Sequence, residues 1–151
     1  MVGIYVGATS GYSGKNMMAM GIGLKLQKEG YRVGYMKPVG ALPQEKDGVL
    51  GDADAFFVQD ILGLSEDPTL VTPVVVTQDF KMKAFTGKCE DLLPRIKTSY
   101  ETLGKDRDVM IVAGSGSMYS AVLHLAGRHL GQASGRRPAR RQVHPAPAFV
   151  S

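Results

Sequence analysis

Apolar residues fall into short β-branched runs separated by longer mixed stretches, the alternation expected when strands and helices follow one another. Val2-Gly3-Ile4-Tyr5-Val6 predicts a buried strand, and a helix is predicted to open at Lys15 and run through Met17 to Glu29. That helix carries apolar residues on more than one face, which suits packing between a sheet and its neighbours. Its methionines are expected as core filler, and Gly21 and Gly23 as points of close approach to the sheet. Gly30 ends it, and Tyr31 to Met36 predicts a second strand. A βαβ unit is then complete within about 37 residues, with its two strands parallel.

Pro43 to Gly51 reads as a polar loop, and Asp52 to Gly63 as a helix with acidic residues in its first turn. Within Pro68 to Gln78 the run Val74-Val75-Val76 is a short strand or a lid segment, and periodicity does not choose between them. Lys88 to Leu103 predicts an amphipathic helix on Leu92, Leu93, Ile96, Tyr100 and Leu103, with Pro94 delaying its start or kinking it. Asp108 to Ala113 predicts a buried central parallel strand that delivers the small-residue turn Gly114-Ser115-Gly116-Ser117 to the working edge of the sheet. Tyr119 to Leu130 predicts one more helix. The class is α/β, with a parallel sheet between helices on both faces.

Composition adds a boundary. The chain has 151 residues and a formal charge of +4, but Met1 to Ala126 holds 13 Lys and Arg against 14 Asp and Glu. The excess lies in Arg128, Arg136, Arg137, Arg140 and Arg141, in a region where Gly131 to Ser151 is rich in Arg, Pro, Ala and Gly without apolar periodicity. Residues 1–130 are expected to form the folded domain and 131–151 a basic, disordered tail. The change of composition after about Met118 is what a truncated or frame-shifted chain would give, as would a genuine basic tail. With no aromatic interleaved among the arginines, nucleic acid is disfavoured as a partner. Cys89 is the only cysteine, so intrachain disulfides and thiolate metal clusters are excluded. The apolar runs are far short of a bilayer span, no membrane partner is expected, and a cytoplasmic setting fits.

The candidate chemistry is concentrated in Gly7-Ala8-Thr9-Ser10-Gly11-Tyr12-Ser13-Gly14-Lys15-Asn16. Strand, glycine-rich turn and helix together form a phosphate cradle: backbone N–H groups converge on an anion, the helix N-terminus adds partial positive charge, and Lys15 reaches the outer phosphates. Gly11, Tyr12, Ser13, Gly14, Lys15 and Asn16 are the candidate nucleotide contacts. The pattern departs from G-x-x-x-x-G-K-[ST] twice, with Thr9 at the first Gly and Asn16 in place of the hydroxyl residue. Lys37, in Lys37-Pro38-Val39-Gly40, lies at the carboxyl end of the second strand, where open α/β sheets keep their ligands. Asp52 and Asp54 either cap the following helix or also hold a metal.

These stretches, in this order and with the strand into Ala113-Gly114-Ser115-Gly116, resemble the dethiobiotin synthetase-like P-loop ATPases. That group includes the cobyrinic and cobyric acid amide-forming synthases and the P-loop domain of some phosphate acetyltransferases. The resemblance covers roughly Met1 to Met118 and implies a P-loop NTPase-like three-layer α/β/α fold, incomplete at the C-terminus. It implies ATP and Mg²⁺ as cofactors and a ligase-like activation of a small-molecule carboxylate or carbamate. Lys15 would bind the β/γ-phosphates and Lys37 would face the substrate or γ-phosphate, both as catalytic residues. Asp52 would be the first choice as magnesium ligand and Asp54 the second. Ala113 stands where relatives carry a second magnesium-binding Glu, and the Pro-x-Ala-Pro-His loop of the biotin-pathway enzymes is missing from Pro73-Val74-Val75-Val76. A non-catalytic nucleotide-sensing or interaction module, like the phosphate acetyltransferase domain, is the alternative. A homodimer is compatible with either.

Overall fold

A computed structural model describes residues 1–11, 13–86 and 91–116. Tyr12, Cys89, the predicted helix over Tyr119 to Leu130 and the basic tail lie outside the described residues. The main sheet consists of β1 (Val2–Val6), β2 (Val33–Met36) and β7 (Val109–Ala113), all parallel, in the order β1-β7-β2. Val109 pairs with Val2 on one side and Val33 on the other. β7 is therefore the central strand, as its continuous apolar run requires, and Met110 and Ile111 have no exposed surface.

Alternation along β7 places helices on both faces. A side chain at Gly23 of α1 (Lys15–Lys28) would meet Ile111, whereas Met110 lies against Gly104 of α5 (Leu93–Gly104). The Tyr100 hydroxyl of α5 reaches over Gly3, and α2 (Ala53–Leu62) lies beside α1, with Leu62 against Gly23. The result is a three-layer α/β/α arrangement. Its core gathers Tyr35, Met36, Val58, Leu62, Val71, Met110 and Ile111, with side chains of this size contributing roughly 1.5 to 3 kcal/mol each on burial.

Several local expectations are corrected. β1 is not buried: among the described residues it has a partner on one side only, and Val2 and Tyr5 are about 60% exposed (62% and 60%). Met17 and Met18 are on the surface rather than in the core. Gly23 makes the predicted close approach, but Gly21 faces open space. Pro43 to Gly51 is not a loop but most of a hairpin, β4 (Pro43–Lys46) with β5 (Val49–Asp52). Its turn residues Asp47 and Gly48 both have positive φ, 53° and 76°, the backbone that lets a two-residue turn match strand twist.

Val74–Val75 is a strand, β6, paired in parallel with β3 (Val39–Gly40). Before it stands the single turn α3 (Pro68–Val71), capped by Asp67, and after it α4 (Gln78–Phe85), capped by Thr77. Pro94 falls in the first turn of α5, so it delays that helix rather than kinking it. Among the described residues no helix is long and apolar enough to cross a membrane.

Candidate phosphate-binding site

The turn from β1 ends at Gly14, whose backbone is left-handed at φ 77°, ψ 18°, a conformation that glycine adopts without strain. α1 starts at the next residue with no side-chain cap and no acidic residue in its first turn. Its first amides and partial positive charge are thus open to an anion. Gly11, Ser13, Gly14, Lys15 and Asn16 line one side of a cavity of about 390 Å³. Lys37, Ala41, Leu42 and Asp54 form another side, and the turn Gly114-Ser115-Gly116 after β7 a third. Two cations from different strand ends therefore share one cavity.

Lys37 is almost fully buried, and its Nζ donates to Asp52 Oδ1 at 2.7 Å and to Asp54 Oδ2 at 2.8 Å. The two aspartates differ sharply. Asp52 has no exposed surface and is the N-cap of α2: Oδ1 accepts the Ala55 N–H at 3.1 Å and Oδ2 accepts the Leu42 N–H at 2.9 Å. Asp54 sits in the first turn of α2, is partly exposed and lines the cavity together with Asn16. Burial would raise the Asp54 carboxyl, but hydrogen bonds from Lys37 and Asn16 and the charges of Lys37 and Lys15 together hold it below the usual carboxylate range.

The geometry thus gives Asp54 the cavity-facing place that the resemblance offered first to Asp52. For a magnesium ion the donors fit a modest site. Asp54 and Asn16 adjoin on the cavity wall, and Mg²⁺ is commonly held by one or two carboxylates with phosphate oxygens and water. Among the described residues no group of three or more His, Cys, Asp or Glu is placed to hold a metal. Ala113 has no exposed surface and offers no oxygen from its side chain.

Ala41 and Leu42 were not anticipated. They reach the cavity because the hairpin that follows folds back onto α2, with the Ala53 N–H donating to Leu42 O. The Asp47-Gly48 pair was the available signal. A second, largely apolar cavity of about 660 Å³ lies under α5, lined by Met36, Pro38, Leu93, Ile96, Tyr100 and Val112 with Asp91 and Lys97 at its margin. Near the ion pair, the buried Tyr35 Oη and Thr72 Oγ1 have no hydrogen-bond partner among the described residues.

A parallel α/β sheet whose first strand runs through a glycine-rich turn into an uncapped helix N-terminus bearing Lys15 defines a P-loop domain. Residues 2–125 match the family described as an AAA domain, and the chain belongs to that family. It is similar to the ATP-dependent dethiobiotin synthetase BioD of Thermodesulfovibrio yellowstonii, 26% identical over 119 residues, covering 77% of this chain and 49% of the relative. It is similar also to that of Clostridium novyi, 29% identical over 127 residues, covering 81% and 52%. The same holds for that of Methanocaldococcus jannaschii, 26% identical over 121 residues, covering 76% and 53%. It is a dethiobiotin synthetase-like P-loop domain that spans about half the length of the curated relatives it matches.

Proposed function

We propose that the cavity between α1, Lys37 and the turn after β7 binds the phosphates of ATP. The observation that carries this reading is Lys15, at an uncapped helix N-terminus, facing a cavity it shares with a second, buried cation. In this reading Lys15 and the turn amides hold the β- and γ-phosphates, and Lys37 lies against the terminal phosphate or the group that receives it. Asp54 and Asn16 would hold Mg²⁺, which when bound supplies neutralisation of phosphate charge. The reaction class is the activation of a small carboxylate or carbamate by γ-phosphoryl transfer, in which Lys15 and Lys37 stabilise charge that develops on the transferred group. The apolar cavity beside Pro38 is a suitable place for the aliphatic part of such a substrate. The extent of the family match supports a domain within residues 1–130 and leaves 131–151 outside it.

A second reading, a nucleotide-binding module without turnover, is favoured by the sparse metal donors, with Asn16 and Ala113 in place of stronger ligands. Calorimetry with MgATP tests the common core of both readings. Lys15→Ala should weaken binding roughly ten- to a hundredfold, the worth of a charge-assisted hydrogen bond. A folded variant with unchanged affinity refutes the site. Turnover at or above about 1 s⁻¹, the low end of ordinary enzyme rates, would decide for the enzyme.

A further inference from the structure

Lys37 is held by two carboxylates that differ in how freely they can leave it. Asp52 makes its 2.7 Å contact from a fully buried position, and both its oxygens are fixed by backbone amides, of Ala55 at one end and Leu42 at the other. Gly40 and Thr72 close in behind it, since a side chain added at Gly40 would meet Asp52 Cβ at 2.6 Å and Thr72 Cγ2 at 2.7 Å. Asp54 makes its 2.8 Å contact from the cavity wall, which it lines together with Asn16. An ammonium has three donors, and the two aspartates take two of them.

We propose that Asp52 is a positioning residue that keeps the Lys37 ammonium at the cavity wall, so that Lys37 contacts the terminal phosphate, while Asp54 is the partner that exchanges Lys37 for the incoming ligand. This rests on the cavity being the ATP site. A helix cap alone would need one oxygen and no buried cation. Burying a lysine beside an unexposed aspartate is costly unless the groups are bonded; here both Asp52 oxygens accept hydrogen bonds and Lys37 donates two. With Asp52 neutralised, Lys37 keeps only a partly exposed charged partner, Asp54, and loses its fixed place.

The test compares a non-hydrolysable ATP analogue with ADP, both with Mg²⁺, by calorimetry on the full chain. ADP reports on Lys15 and the turn, and the ratio of the two affinities reports on Lys37. Wild type is expected to prefer the triphosphate. Asp52→Asn and Lys37→Met should each remove most of that preference, roughly tenfold or more, with ADP affinity little changed and nothing further lost in the double variant. A folded Asp52→Asn with the wild-type preference overturns the proposal, as does a wild type that binds both nucleotides equally. A wild type that binds neither refutes the ATP reading itself. Should Asp52→Asn fail to fold, urea denaturation of Asp52→Asn/Lys37→Met decides. Recovery of the fold identifies the stranded Lys37 as the cause and supports the pairing, whereas a double variant that stays unfolded makes Asp52 a cap only.

Discussion

Gly40→Ala perturbs the site through packing alone. Gly40 is not among the positive-φ residues, so alanine meets no backbone strain there. Its Cβ would instead stand 2.6 Å from Asp52 Cβ, 2.7 Å from Thr72 Cγ2 and 2.9 Å from Asp52 Oδ2. None of these can step aside easily. Asp52 is tied to Lys37, Leu42 and Ala55, while Gly40 O in β3 accepts the N–H of Val76, just after β6, at 2.8 Å. Overpacking of this kind costs about 1 to 3 kcal/mol, offset by about 0.4 to 1 kcal/mol because alanine restricts the unfolded chain. A net loss of about 1 to 2 kcal/mol lowers the melting temperature by roughly 2 to 8 °C in a chain of this size. Thermal unfolding followed by circular dichroism, with urea midpoints as a check, gives the answer. A melting temperature that is unchanged or raised would refute the packing drawn around Asp52, and with it the claim that Asp52 cannot yield.

Other positions give contrasting outcomes. Gly21→Ala adds a methyl to open space within α1 and should stabilise by about 0.5 to 1 kcal/mol, seen as a higher urea midpoint. Tyr35→Phe removes a buried hydroxyl without a partner among the described residues, whose ionisation is disfavoured by burial and by the Asp52 and Asp54 carboxylates. The variant should match or exceed wild-type stability by about 1 kcal/mol, and a clear loss would mean that the hydroxyl is bonded. Bonds from the Arg32 guanidinium and then from its backbone N–H hold the Asp108 carboxyl down to about 2. Its contribution is therefore present above the unfolded value near 4 and is lost as pH falls through about 2. Asp108→Asn should lower the urea midpoint at pH 7, and the gap should close in acid; a gap independent of pH would show that charge is not its source.

What could be read from the sequence was local. The turn from Gly7 to Asn16 carries its chemistry in consecutive residues, and its uncapped helix follows from Gly14 and the lack of an acid in the first turn. β7 announced itself as central because a strand buried on both faces must be apolar throughout. The exposure of β1 was hidden for the opposite reason. Val2-Gly3-Ile4-Tyr5-Val6 is as apolar as a central strand, and only the order β1-β7-β2 leaves it paired on one side among the described residues. Met17 and Met18 misled in the same way, since apolar character says nothing about which side of α1 the sheet occupies. The hairpin at Pro43–Asp52 was legible in Asp47-Gly48, but its strands Pro43–Lys46 and Val49–Asp52 are short and the first is polar, so no alternation marked them.

The division between Asp52 and Asp54 follows from helix geometry rather than from residue type. Asp52 precedes the first turn of α2 with extended backbone, φ −119° and ψ 131°, and as N-cap its side chain must turn back over the amide of Ala55. That turn carries the carboxylate inward, where Leu42 and Lys37 complete its bonds and leave it closed to solvent. Asp54 comes two residues later, roughly 200° further round a helix of 3.6 residues per turn, and its side chain emerges at the cavity. Lys37 reaches between the two, so one ammonium joins a carboxylate consumed by the fold to one still open to a ligand. Two aspartates of identical chemistry, separated only by Ala53, thus stand in different surroundings: the one that caps the helix has both oxygens bonded and no exposed surface, and the one that follows it lines the cavity.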